Sequence, residues 1–383
     1  MITRQRIVSY GIPTAAAATI ITAALLTPWS RGNDAKPSLV PVTDPITVTT
    51  ETNQIDVVFA VDTTGSMGGL LEGAKRTVWS IATHIRKTDP NANLRIGLVA
   101  YRDIGDDYVT RPYSLTTDLD AVFAELATYQ AAGGGDTPEN VDAALDDTLH
   151  KMQWRGGARK LVFLVGDAPP ASRGEVPTFE VLAQQARDRG IIINTIRCGN
   201  DHATAQSFQR IASLSRGEFS SIEQDGGVQQ VATPYDAKMA ELSARIDSTS
   251  IIVGDDSTRR RHEGKMAAAI AAAPAAKADR ATYYAAKKGK PGAGRAADDL
   301  VGGVASGTMD LDTIEESSLP SDLRGKDKAA LKAEVTKRFA ERQLAEKEIV
   351  ELAKQRDEYL KNTVKDGAGF DAKVKTSIEK QLK

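Results

Sequence analysis

Cysteine is nearly missing from this chain: Cys198 is the single one in 383 residues. That excludes an intramolecular disulfide framework and any cysteine-rich zinc or iron–sulfur site. Four histidines leave little for a histidine-based metal or acid–base centre. Aromatic residues make up only 5%, too few for a platform on which sugars or bases stack. Neither charge sign dominates, since 49 Lys and Arg stand against 51 Asp and Glu. A net charge of −2 argues against a general nucleic-acid or polybasic membrane binder. Chemistry at this protein therefore falls to oxygen ligands. At 41% hydrophobic the chain can build a packed core, with room for two domains or one larger domain plus appendages.

Long apolar runs are also scarce, and the one present is at the N-terminus. Arg4 and Arg6 precede an apolar stretch from Ile7 to Trp29 centred on Ala15–Ile21. A basic segment followed by about 20 apolar residues has the parts of a secretory signal or of a single membrane anchor. Residues 1–30 are expected to serve as one or the other, with the rest of the chain exported to the periplasm or beyond. Residues 31–50, rich in Pro, Thr and Asp, read as an extended linker.

From there, short apolar strands alternate with amphipathic helical patterns. Strands are expected at Ile55–Val61, Leu94–Tyr101, Tyr108–Leu115, Leu161–Val165, Ile191–Ile196 and Gly217–Ile222. Helices are expected near 68–87, 118–131, 138–153, 176–189, 204–214 and 226–247. Nearly continuous apolar strands need cover on both faces, which is the mark of a parallel sheet between helical layers. The alternation predicts an α/β fold: a doubly wound, mostly parallel six-stranded sheet over residues 51–247, with one antiparallel strand from the hairpin. After residue 250 the texture changes. Residues 248–325 read as an Ala-, Lys- and Gly-rich linker with short helices, broken at Pro274. Residues 326–383 read as one long helix and a tail. The helix stripe Leu331, Val335, Phe339, Ala345, Ile349, Leu352 and Tyr359 slips near Leu344, which favours packing on its own chain over coiled-coil association.

The informative segment follows the first strand: Asp62-Thr63-Thr64-Gly65-Ser66-Met67-Gly68. In a doubly wound sheet, ligands bind beyond the carboxyl ends of the strands. Asp62, Thr64 and Ser66 offer one carboxylate and two hydroxyls from a tight loop, a hard-oxygen set suited to Mg²⁺ or Mn²⁺. Two further segments follow in order: Gly133-Gly134-Gly135-Asp136-Thr137-Pro138-Glu139, and Gly166-Asp167-Ala168-Pro169 after the Leu161–Val165 strand.

Here the chain resembles the von Willebrand factor A family, and among its members the exported bacterial ones. Asp-x-Thr-x-Ser is the first part of that family's metal-ion-dependent adhesion site. The second part commonly supplies a threonine. Glu139 stands there instead, in the form seen in integrin beta subunits. Asp167 matches the aspartate of the family's fourth strand. The resemblance covers about half the chain and implies metal contacts from Asp62, Thr64, Ser66, Glu139 and Asp167, with one coordination position open to a carboxylate of a partner protein. It also implies a second, neighbouring site for Ca²⁺ made from Asp103, Asp136, the Pro138 carbonyl and Glu139, although Gly134 stands where that site's asparagine is expected. Glu139 in place of a neutral hydroxyl raises metal affinity and weakens the pull on an acidic ligand.

Competing patterns fail on their spacing. Gly68-x4-Gly73-Ala74-Lys75 lacks the Gly-Lys-Ser/Thr of a phosphate loop, and Ser66 has no His or Lys spaced to activate it. The expected function is therefore a non-enzymatic, metal-dependent protein-binding module. The alternatives are an accessory subunit of an ATPase or other enzyme complex, and a structural envelope protein assembling through its C-terminal helix. The sequence leaves the oligomeric state open.

Overall fold

The computed structural model describes residues 53–135, 137–171, 173, 176–228, 231–286, 295–363 and 369–382. The N-terminal segment 1–30, the 31–50 linker and Asp136 lie outside the described residues. Among the described residues, no helix is long and apolar enough to cross a membrane.

Six strands form one sheet: β1 (Gln54–Asp62), β2 (Asn93–Tyr101), β3 (Thr110–Thr116), β4 (Arg159–Gly166), β5 (Ile191–Cys198) and β6 (Phe219–Ile222). Their spatial order is β3-β2-β1-β4-β5-β6, and every pairing is parallel except β2 with β3. This is the expected doubly wound arrangement. The innermost strands carry the apolar runs because both their faces are covered.

Helices α1 (Gly68–Thr88) and α2 (Leu119–Ala127) cover one face, where Val57, Phe59 and Val61 meet Leu71, Val78 and Val122. Helices α3 (Val141–His150), α4 (Phe179–Asp188) and α5 (His202–Leu214) cover the other, where Val58, Val162 and Leu164 meet Leu145, Leu182 and Phe208. Side-chain caps start three of these helices at fixed places. Asp118, Asn140 and Asp201 each accept a backbone N–H from the first turn that follows, from Ala121, Ala143 and Thr204.

The helix after β6 does not join these layers. Helix α6 (Asp236–Ser248) buries Met239, Leu242 and Ile246 against later helices. The later helices are α7 (Asp256–Ala271), α8 (Pro274–Ala286), α9 (Leu300–Ser306), α10 (Lys328–Thr363) and α11 (Phe370–Leu382), and α6 packs against α8 and α10. It is α11 that closes the sheet beside α1. Phe370 lies 6.2 Å, ring to ring, from Phe59, and Val374 and Ile378 enter the same core. Gln381 exchanges side-chain hydrogen bonds with Asn194 of β5 at 2.7 and 3.0 Å.

The stretch expected as a linker with short helices holds three helices, α7, α8 and α9, packed into the fold. Pro274 is the first residue of α8, a position where its missing N–H costs nothing. Tyr283 and Tyr284 of α8 stack around Trp79 of α1 at 5.5 and 6.0 Å. Helix α10, about 54 Å long at 1.5 Å per residue, spends its stripe inside the chain. Ala345 and Ile349 pack with α6 and α8, while Leu331 and Val335 pack with Leu300 and Val301 of α9. Two of its arginines are buried too. Arg342 pairs with Asp299 at 2.6 Å, and Arg356 with Asp236 and Asp279 at 2.7 Å each. The sheet domain and the helical region are bolted together by a third arginine. Arg280 of α8 reaches Asp120 of α2 at 2.9 Å and Asp247 of α6 at 2.7 Å, and Tyr284 donates to Asp120 as well.

Removing one member of a buried ion pair leaves its partner uncompensated, at a cost of about 3–5 kcal/mol. Arg280→Met keeps much of the volume and strands Asp120. It should lower the unfolding free energy by about that amount in urea titrations. A loss under about 1 kcal/mol would mean that the ion pair does not join the two parts.

Candidate metal centre

Two aspartates on β1 are fully buried, and the chain treats them in opposite ways. Asp56, near the start of the strand, accepts from Arg95 at 2.9 and 2.7 Å and from Arg155 at 2.9 Å. These arginines, working against burial, hold its carboxyl below the usual range. Asp62, at the end of the strand, has no such cation. Its Oδ1 accepts from the backbone N–H and hydroxyl of Thr64 at 2.8 and 2.7 Å, and its Oδ2 is buried without a hydrogen-bond partner. A fully buried carboxylate left this way is costly unless a cation joins it.

The other predicted residues lie in the loops around Asp62. The Thr64 and Ser66 hydroxyls are 3.4 Å apart, with Thr64 buried and Ser66 exposed. Glu139 ends the loop before α3, buried, with Oε2 unpartnered. Its position is fixed by backbone bonds: its N–H donates to the Pro169 carbonyl at 3.0 Å, and its carbonyl accepts from Ala171 at 2.8 Å. Asp167 leaves β4 next door, half-buried. Two glycines beside the site, Gly134 and Gly166, are sterically committed. A Cβ on Gly134, whose φ is +76°, would lie 3.0 Å from the Thr64 Cβ and 3.2 Å from Glu139 Oε1. A Cβ on Gly166 would lie 2.3 Å from the Tyr101 hydroxyl. The asparagine that the second site lacks at position 134 therefore has no room here.

The donor set fits a small hard cation. Two orphaned carboxylate oxygens, two hydroxyls and Asp167 are all oxygen. Among the described residues, no three His, Cys, Asp or Glu side chains come close enough to hold a metal by themselves, so the Thr64 and Ser66 hydroxyls are integral to the set. The second site is less well provided. Arg173 ion-pairs with one Asp103 oxygen, which puts a guanidinium where the neighbouring metal needs a ligand. The other Asp103 oxygen is buried and unpartnered. Asp136 lies outside the described residues, and Pro138 follows a cis peptide bond.

Three neighbours carry no sequence signal of their own. Tyr101, paired with Asp62 across the β1–β2 register, donates to the Val165 carbonyl at 3.1 Å beneath the site. Burial first, then the charges of Asp62, Asp167 and Glu139, push its hydroxyl well above the usual tyrosine range. Arg173 is the second. Gln224, beyond β6, is the third; its amide donates to Asp167 Oδ2 at 2.6 Å. A glutamine in an irregular loop matches no motif, and only the fold brings it here.

A model of the von Willebrand factor type A domain matches residues 56–233. The chain is 30% identical over 166 residues to von Willebrand factor A domain-containing protein 7 of Rattus norvegicus, covering 43% of this chain and 17% of that protein. It is 27% identical over 118 residues to the alpha-protein kinase vwkA of Dictyostelium discoideum, covering 30% of this chain and 18% of that one. The chain thus spans under a fifth of the length of these curated relatives. Among solved structures, it is similar to proximal thread matrix protein 1 from the mussel byssus with a zinc-occupied MIDAS motif. That likeness has a TM-score of 0.36 and 15% identity over 45% of this chain and 43% of the other.

Burial first, and then the charge of Asp167, raise the Asp62 carboxyl to about 7 against the Thr64 hydrogen bonds. Burial, followed by the charges of Asp62, Asp103, Asp106 and Asp167, raises Glu139 to about 8. Ordinary values are 3.8 and 4.5, so between these limits the folded chain holds protons that the unfolded chain has lost. Stability of the metal-free protein therefore falls as pH rises from about 4 toward 8. A cation needs the ionised carboxylates, so its effect runs the other way. Thermal melts in chelator should drop from pH 5 to pH 8, and added Mg²⁺ should raise the melting temperature more at pH 8. A Mg²⁺ shift independent of pH would contradict this account.

Proposed function

Because the chain belongs, through residues 56–233, to the von Willebrand factor type A family, we propose that it is a non-enzymatic module that binds a partner protein through a divalent cation. The observation that carries this reading is the pair of buried, unpartnered oxygens, Asp62 Oδ2 and Glu139 Oε2, beside the Thr64 and Ser66 hydroxyls. Asp62, Thr64, Ser66, Glu139 and Asp167 would hold Mg²⁺ or Mn²⁺. Bound there, the ion offers a coordination position that a partner's carboxylate fills. Ser66 is no nucleophile in this reading: its hydroxyl faces Thr64, and among the described residues no histidine or lysine hydrogen-bonds to any of the five.

The surroundings narrow the partner. Three carboxylates over-neutralise a divalent ion. Asp103, Asp106 and Asp107 after β2, and Glu223 and Asp225 after β6, lie at the same sheet edge. The local arginines are engaged. Arg173 sits on Asp103, while Arg102 donates to the Thr63 and Gln130 carbonyls and lies 4.4 Å over the Tyr108 ring. An acidic residue approaching this rim is repelled unless it brings positive charge of its own. The partner segment therefore carries its acid between lysines or arginines.

Assembly through α10 is disfavoured because that helix spends its stripe on α6, α8 and α9. The basic-then-apolar segment at 1–30 supports export, which would separate the domain from a cytosolic ATPase and weaken the accessory-subunit reading.

Asp62→Asn keeps an acceptor for Thr64 and removes the charge. It should abolish both Mg²⁺-induced thermal stabilisation and Mg²⁺-dependent capture of a Lys-flanked aspartyl peptide, while the fold persists by circular dichroism. An unaltered metal response would sink the assignment, and equal capture of a Glu-flanked peptide would sink the partner chemistry. For location, a phosphatase reporter that is active only outside the cytoplasm, fused after residue 383, should be active. Activity confined to a cytosolic reporter would restore the ATPase-partner reading.

A further inference from the structure

Gln224 stands outside every motif, yet it touches the centre at two points. Its Nε2 donates to Asp167 Oδ2 at 2.6 Å and approaches the Ser66 carbonyl at 3.4 Å. On its other side the amide fills a place left by a missing side chain: a Cβ on Gly199 would fall 2.2 Å from Gln224 Oε1. The loop that presents it is pinned along its length. The Gly199 N–H donates to the Ile222 carbonyl at 3.0 Å, just ahead of Gln224, and the Gly226 N–H to the Glu223 carbonyl at 2.9 Å. Asp225 packs on the first turn of α1, where a Cβ on Gly69 would be 2.9 Å away. The first residue of α11 closes the loop from below, its Phe370 N–H donating to the Gly226 carbonyl at 2.8 Å.

We propose that Gln224 is a specificity-determining positioning residue of the metal centre, which limits Asp167 to one free oxygen and so favours a small octahedral cation over Ca²⁺. The inference rests on the metal reading above. A carboxylate with one oxygen committed to an amide N–H can serve a cation, directly or through water, from the other oxygen only. That suits Mg²⁺, which demands six ligands in near-ideal octahedral geometry and tolerates monodentate carboxylates. Ca²⁺ takes six to eight oxygens and accepts bidentate carboxylates. With the amide removed, Asp167 turns freely and presents both oxygens. The centre then loses the constraint that Mg²⁺ exploits and gains the flexibility that Ca²⁺ accepts. Gln224 touches no metal ligand except Asp167 and the Ser66 backbone, so its effect is exerted through those two residues.

The test is Gln224→Met, which keeps the length of the side chain and removes the donor. Mg²⁺ and Ca²⁺ affinities of the full chain are measured by titration calorimetry, and thermal melts are recorded in chelator. Groups that orient metal ligands are worth roughly 10–100-fold in affinity when removed. The expected result is at least about a tenfold loss for Mg²⁺, little or no loss for Ca²⁺, and an unchanged melting temperature in chelator. Equal losses for both ions, no loss for either, or a fall in the chelator melting temperature that parallels the affinity loss would each overturn the proposal. Wild-type protein that binds neither ion would overturn the metal reading itself. Wild-type protein that binds Mg²⁺ and a variant that binds it equally well would overturn only the role of Gln224.

Discussion

Strand β1 runs between β2 and β4 with parallel register on both sides, so three strand ends arrive together at one edge of the sheet. Asp62 is level with Tyr101 on one side, and Val61 is level with Val165 on the other. Asp62 and Asp167 therefore emerge from neighbouring strands at nearly the same height. The loop holding Glu139 is drawn to that edge by its backbone bonds to Pro169 and Ala171, in the segment that follows Asp167. Slipping the β1–β4 pairing by one residue would shift the start of the Asp167 loop by one position against Asp62. The apolar strand cores that enforce the register are thus also what assembles the centre.

Four other buried aspartates among the described residues are met by arginine. Asp56 has Arg95 and Arg155, Asp299 has Arg342, Asp236 has Arg356, and Asp120 has Arg280. Asp62 and Glu139 break this habit. They are as buried as the others, yet each keeps an oxygen without a partner and each carboxyl is raised toward or above neutrality. Four buried acids receive arginines and these two do not, and this is the contrast that supports the cation proposed for them. That contrast within one molecule is stronger than the motif alone, because a turn-forming aspartate would also satisfy the motif.

Much of this was legible in the sequence, for physical reasons that also mark where legibility ends. Four apolar runs became the four inner strands because a sheet covered on both faces tolerates little else, while the edge strands β3 and β6 carry a weaker pattern. The three site segments were readable because ligand chemistry fixes residue types at fixed offsets from strand ends. The helical region was read as a linker because alanine-rich stretches carry a weak amphipathic signal, and because Pro274 looks like a break when it is in fact a helix start. Arg342 and Arg356 of α10 each meet an aspartate far away in the sequence, a pairing that no local pattern encodes. Nor could the sequence say that α11 and not α6 would close the sheet. Both are 13-residue helices of moderate amphipathicity, and only the competition among α6, α8 and α10 for one another decides it.

That exchange has a consequence for the centre. Because α6 leaves the sheet, the loop after β6 runs along the start of α1, and it is held by the start of α11 through the Phe370 N–H. The same loop carries Gln224 to Asp167. The last helix of the chain is thus joined to the metal edge by a short run of backbone and one side-chain amide, and the helical region between them is bolted to α2 through Arg280. Each link is a directional hydrogen bond or a charge-assisted pair, and these resist displacement better than apolar contact, which is non-directional. The C-terminal third of the chain therefore contributes to the centre without reaching it. It holds the loop whose Gln224 holds Asp167, the contact on which the proposed discrimination between cations rests.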